Sequence, residues 1–226
     1  MPGSRAGTTG GAVLAEDDRR APAAVLFDAL GLDYEKAFAS SEAHRASLGW
    51  LLDRLPPGSR VLDAGCGTGR PTAETLAGAG HAVLGVDVSP VMVGLASRQV
   101  PRAEFRLADL RELSPAEHSF DAVCGYFSLL QMSRAEQSAV VAKLARALRP
   151  GGSAVLATVP LDVEDVEGTF MGQPVRVTSF AAGDFRAMVE AAGLTVLSEE
   201  HALFSPAHPG AGPEPHLFLH CRREAD

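Results

Sequence analysis

The apolar positions of this chain recur in two ways. From about residue 22 they stand three or four apart. Val25, Leu26 and Leu30 in AAVLFDALG share one predicted helical face, and Leu48, Leu51, Leu52 and Leu55 share another in SSEAHRASLGWLLDRL. Either Ser40 or Ser41 is placed to cap the second helix, and Pro56-Pro57-Gly58 ends it. Short apolar runs then take over: RVLDAG (60–65), HAVLGVDV (81–88), AEFRLADL (103–110), FDAVCGYF (120–127), GSAVLATV (152–159), LTVLSEE (194–200) and EPHLFLHCR (214–222). Between most of them lie stretches with helical spacing, TAETLAGAG, PVMVGLASRQ, RAEQSAVVAKLARAL and AAGDFRAMVEAAG. Such alternation predicts an α/β chain with a mostly parallel sheet and helices on both faces. The last two runs are joined by a segment containing FSPAHPGAGP, with no room for a crossover helix. The seventh strand is therefore expected to return antiparallel. With no internal repeat or linker, a single domain is expected over 21–226, with N-terminal helices in 21–57 and an insertion at 160–180. Residues 1–20, Gly/Ala/Thr-rich and then charged, read as a mobile tail.

Composition narrows the function classes. A chain of 226 residues can bury roughly 70% of its unfolded surface, so neither disulfide nor structural metal is required. Net charge is −8, and no Lys/Arg block is long enough to track a phosphate backbone, which argues against a nucleic-acid partner. The first residues lack the apolar core of a signal peptide, and no window approaches the roughly 18 apolar residues of a membrane span. Three widely spaced cysteines, Cys66, Cys124 and Cys221, with no CxxC pair, fit a reduced, cytoplasmic setting.

The candidate chemistry starts at VLDAGCGTGRPT (61–72). A glycine-rich turn after a first strand lets backbone come close to a ligand. A P-loop would need a lysine after the last glycine, and the dinucleotide fingerprint would need glycine where Arg70 stands. The spacing is instead G-x-G-x-G with an acid two residues earlier. In this the chain resembles the class I S-adenosylmethionine-dependent methyltransferases, over roughly residues 34–222. VLDAGCGTG is similar to that family's first motif, GVDVSP (85–90) to its second and LADL (107–110) to its third. FDAVCGYFSLLQM (120–132) and LRPGGSAVLATV (148–159) complete the series in order.

The resemblance implies a Rossmann-like, doubly wound, seven-stranded sheet and S-adenosylmethionine as cofactor, leaving S-adenosylhomocysteine. It implies that Gly65, Cys66, Gly67 and Gly69 pass their backbone against the methionine part, with Asp63 on the ammonium side. Asp87 is expected to accept the two ribose hydroxyls, Val88 and Met92 to flank the adenine, and Asp109 with the Leu110 backbone to read its amine. Cys124, Gly125 and Tyr126 are expected beside the transfer region, and Tyr34 over the cofactor carboxylate.

Methyl transfer from a sulfonium needs in-line positioning and exclusion of water, and a base only if the acceptor must lose a proton. Candidates at the expected strand ends are Tyr126, Gln131, Asp162, Glu164, His201 and His208, with the two histidines first by chemistry. His216 and His220 lie four apart on a strand, about 13 Å, too far to share one ion, and no metal is expected. A small organic acceptor, of the kind met in secondary metabolism, is expected against Phe127, Leu129, Gln131, Asp162, Phe170, Met171 and Phe204. The segment 160–180 is expected to form a flap or short hairpin against it. Methylation of a protein or tRNA, or cofactor binding without catalysis, are the alternatives. The protein is expected to be a monomer or homodimer.

Overall fold

Val61 and Leu62 are neighbours in β1 (Arg60–Ala64) and enter different cores, because successive side chains of a strand point to opposite faces. The same split repeats in β4 (Phe120–Tyr126), β5 (Leu148–Thr158) and β9 (Glu214–Arg223). Ala122, Cys124, Val155, Ala157 and Phe218 pack on one side, while Val123, Ala154, Leu156, Leu217 and Leu219 pack on the other. The first side is covered by Leu48 and Leu51 of α3 (Glu42–Leu52) and Leu76 of α4 (Thr72–Gly78). The second is covered by Val140, Val141 and Leu144 of α6 (Arg134–Ala147) and by Phe185 and Val189 of α7 (Ala182–Ala191). The structure is a computed structural model that describes residues 21–224. The reading of 1–20 as a mobile tail lies outside them.

The remaining sheet strands are β2 (Ala82–Asp87), β3 (Glu104–Leu107) and β8 (Leu194–Phe204), and the order is β3-β2-β1-β4-β5-β9-β8. Strands β1 to β5 pair in parallel, and β9 runs antiparallel between β5 and β8. This is the seven-stranded, mostly parallel sheet with a reversed last strand that the alternation predicts. The order reverses between β1 and β4, so their carboxyl ends open the crevice in which sheets of this type bind ligands.

Above that edge lie α1 (Pro22–Leu30), α2 (Leu32–Phe38) and a separate hairpin of β6 (Val163–Phe170) and β7 (Gln173–Ser179). Leu26, Leu30, Ala37 and Met171 form a third, small core that ties the hairpin to both helices. Val25 departs from the expected helical face: Ala24, Leu26 and Leu30 are buried and Val25 is 47% exposed. Of the two candidate caps it is the Ser41 side chain that accepts from the His44 backbone N–H. The fifth helix, α5 (Pro90–Gln99), is capped by Ser89, whose hydroxyl also donates to Asp28 of α1 at 2.5 Å. That bond fixes α1 across the carboxyl edge of the sheet.

Candidate functional site

Three clefts meet at the carboxyl edge. The first is lined by Gly65 and Gly67 after β1, Asp87 and Val88 at the end of β2, and Asp109 to Arg111 after β3. Tyr126 to Ser128 after β4 complete its floor, and Ala21 to Ala23 with Phe27 roof it. The second holds Asp63, Cys66, Thr68, His44, Thr72 and His216. The third is apolar and lies beneath the hairpin, between Phe27, Phe38, Phe170, Val175, Val177 and Glu214. Tyr34 and Phe127 line all three. The first encloses about 750 Å³ and the third about 790 Å³, counted with the solvent open to them.

Two buried carboxylates form the polar floor. Asp87 Oδ2 accepts from the Gly67 N–H and Oδ1 from the Ser89 N–H, both at 2.9 Å. Burial raises its carboxyl, an effect those backbone bonds oppose. Asp63 is 2% exposed, and its Oδ2 has no hydrogen-bond partner. Burial, then the charge of Asp87, pushes its carboxyl up to about 7. A buried acid with an orphaned oxygen is costly unless a cation or donor completes it. The turn above it comes close by construction: a β-carbon at Gly65 would stand 2.2 Å from Ser128 Cβ, whereas one at Gly67 would meet nothing within 4 Å. The donor set therefore fits a ligand with an ammonium group at Asp63 and hydroxyls at Asp87.

Several sequence candidates do not reach the clefts. Gly69 turns its Cα toward Ala96, Val100 and Phe105, so its role is in packing. Met92 and Cys124 are completely buried and Gly125 packs on Leu156; none of them lines a cleft. Asp109 lines the first cleft, but Arg111 grips both of its oxygens, at 3.0 and 2.6 Å, and holds its carboxyl below the usual range. Leu129 belongs to the core shared with α6 and α7, and Met171 to the small core under α1. Asp162 is ion-paired with Arg134 at 2.7 Å and largely exposed. Glu164 lines none of the three clefts but a further one between the hairpin, α1 and the start of α6, with Gln131, Glu136 and Arg176. Phe204 stacks behind the site on Phe38 and His216, with ring centroids 5.5 and 5.4 Å away. His201 is exposed on the edge strand β8 beside Glu199, and His208 closes a turn by accepting from the Gly210 N–H. Neither lines any of these three clefts.

Other residues enter that the sequence reading did not assign to the site. His44 packs its ring 3.9 Å from that of Tyr126 and hydrogen-bonds Thr72 Oγ1 at 3.0 Å. Burial, with His216 and Arg45 nearby, pulls it down to about 3. The Tyr126 hydroxyl pairs with Ser47 at 2.8 Å. His216, 1% exposed, sits 2.8 Å from Glu214 Oε1 through Nε2. The available signal for this last pair is their spacing, since residues two apart on a strand share a face.

Comparison with known proteins agrees with this geometry. A family model described as a methyltransferase domain matches residues 61–152. Methyltransferase GfsG of Streptomyces halstedii is 33% identical over 162 residues, covering 65% of this chain and 57% of that protein. The chain spans about half the length of the curated relatives it matches. Among solved structures, the Burkholderia thailandensis 1,6-didemethyltoxoflavin-N1-methyltransferase superposes with a TM-score of 0.67 at 25% identity. The match covers 88% of this chain and 86% of that one, whose structure holds 1,6-didemethyltoxoflavin and S-adenosylhomocysteine. The [4+2]-cyclase SpnF also superposes at 0.67, with 20% identity over 90% of this chain and 95% of that one. With its strand order and its motif segments gathered at one sheet edge, the chain has the fold of the class I S-adenosylmethionine-dependent methyltransferases, and the matches to their domain model and to methyltransferase relatives support that family.

Proposed function

We propose that this chain binds S-adenosylmethionine across the first two clefts and methylates a small organic molecule held in the third. The observation that carries this reading is the convergence of all three clefts on Tyr34 and Phe127. A nucleoside in the first, a methionine tail in the second and an acceptor in the third would meet there. In this reading Asp63 takes the ammonium, Asp87 the ribose hydroxyls through lone pairs its backbone donors leave free, and Val88 and Leu110 the adenine. The cofactor supplies a methyl group already activated on a sulfonium. The chain's own work is then alignment and dryness: Phe127, held at φ +56°, and Tyr34 form the wall at the transfer point, and Phe170 closes the acceptor side.

A small acceptor is favoured by the apolar lining of the third cleft and the net charge of −8, and by the heterocycle bound in the toxoflavin methyltransferase. A role in secondary metabolism and a cytoplasmic setting belong to the same proposal. Three free, buried cysteines suit a reduced compartment, and no helix among the described residues is long and apolar enough to cross a membrane. The test is incubation with methyl-labelled S-adenosylmethionine and a small-molecule extract, followed by separation of solvent-extractable compounds, protein and RNA. Label in the extractable fraction is expected; label in protein or RNA would overturn the choice of acceptor.

A further inference from the structure

Of the described residues lining the apolar cleft, Glu214 is the only charged one. Its side chain is 23% exposed, and one oxygen is engaged by His216 Nε2 at 2.8 Å. His216 is itself fixed between the rings of Phe127 and Phe204, with centroids 4.4 and 5.4 Å away. Its Nδ1 is buried without a partner. The network thus assigns the hydrogen to Nε2, donated to the carboxylate. His216 lines the cleft on the cofactor side of Phe127, and Glu214 lines the cleft on the other. A carboxylate among aromatic rings is unfavourable unless its remaining lone pairs are satisfied, and one histidine donor leaves most of them for whatever enters the cleft.

We propose that Glu214, positioned by His216, receives the acceptor's proton, and that the acceptor is an apolar, ring-bearing molecule methylated on a hydroxyl group. This rests on the reading of the third cleft as the acceptor site. The ring follows from the walls, Phe27, Tyr34, Phe38, Phe127 and Phe170, which suit offset or edge-on packing against a planar molecule. The hydroxyl follows from the charge. Beside an alkyl amine, a carboxylate stabilises the protonated, non-nucleophilic form; beside a hydroxyl, it takes the proton that must leave. Tyr34 does not compete, because burial and the nearby Glu214 and Asp87 charges hold its own hydroxyl protonated. In the step, the acceptor O–H bond breaks and the proton passes to the Glu214 carboxylate. The electron pair left on oxygen forms the bond to the methyl carbon as the carbon–sulfur pair returns to sulfur. The carboxylic proton is then lost to water.

The test uses two fluorescent probes, 2-naphthol and its methyl ether, titrated into the protein saturated with S-adenosylhomocysteine. The wild type should bind naphthol about tenfold or more tightly than the ether, the worth of a hydrogen bond to a charged acceptor. Glu214→Gln, which keeps the shape and removes the charge, should shrink that preference about fivefold. His216→Leu should reduce it, while His216→Gln, which retains an N–H donor, should preserve it. Equal affinities in the wild type, a preference surviving Glu214→Gln, or no binding of either probe would overturn the proposal. Calorimetry of S-adenosylhomocysteine on the same proteins reports the cofactor reading separately: its failure overturns that reading, whereas intact binding with equal probe affinities overturns only the role of Glu214.

Discussion

At Gly65 the backbone holds φ +80°, and any β-carbon would run into Ser128. Gly65→Ala should therefore cost about 1–3 kcal/mol of backbone strain before the clash is counted, read as a lower urea midpoint. Gly67 holds φ +52° and faces open space, so Gly67→Ala should lose about 1 kcal/mol of stability and show its larger effect on cofactor affinity. The two glycines look equivalent in the motif, and only the neighbour across the turn separates them. Asp63 gives a prediction in pH. Its folded value, about 7, lies above the unfolded value near 3.9, so the folded state keeps a proton that the unfolded chain has lost. Its contribution to stability is full below about pH 4 and is lost as pH rises through 7. Asp63→Asn should remove that slope and melt higher than wild type at pH 8 without ligand. Cofactor affinity should move the opposite way, rising toward pH 7 in the wild type as the carboxylate ionises, and lying lower and flatter in the variant. Titrations of both proteins from pH 5.5 to 8 would check the pair of slopes. Acids at strand ends were legible because the motif spacing puts them there; that one of them would be left with an orphaned oxygen depends on tertiary burial.

The hairpin β6–β7 joins the small core under α1 and α2 through Met171, which is 4% exposed, with the partly buried Phe170 and Val175 packed against it. Met171→Ala should cost about 2 kcal/mol or more in chemical denaturation and leave cofactor affinity within about twofold. That outcome would separate Met171 from its neighbour Phe170, which lines the apolar cleft. From sequence the two looked alike, as apolar residues in a Gly/Pro-bounded loop, and nothing in a loop's pattern says which side faces a core. The strands were easier. Their alternation fills two cores, so the sheet and its helices are legible in periodicity, and the reversal of the last strand in a connection too short and too rich in Gly and Pro for a crossover helix. The edge strand β8 defeated that logic, because its outer half carries few buried neighbours to mark a face. His201 was placed by strand end alone and proved exposed. Spacing along β9 sets His216 apart from His220 as a metal pair and by itself gives it no other role. The Glu two residues before it, on the same face of β9, was the clue that counted.

Taken whole, the molecule shares its fold with a protein described as a cyclase as well as with methyltransferases, so the sheet by itself does not choose the reaction. The choice lies in what the ends of β1, β2, β3 and β4 present under α1 and α2. Because one ligand would touch all of these elements, its binding should stabilise the entire domain, by about 2.7 kcal/mol at a hundredfold excess over Kd. The most direct test is calorimetric titration of S-adenosylhomocysteine into the wild type and into Asp87→Ala. The account predicts saturable one-to-one binding to the wild type and a loss of more than about tenfold in the variant. That loss follows from removing a carboxylate that, in this account, would accept two hydroxyl hydrogen bonds from the ribose. Absence of binding by the folded wild type, or equal affinity in the two proteins, would contradict it.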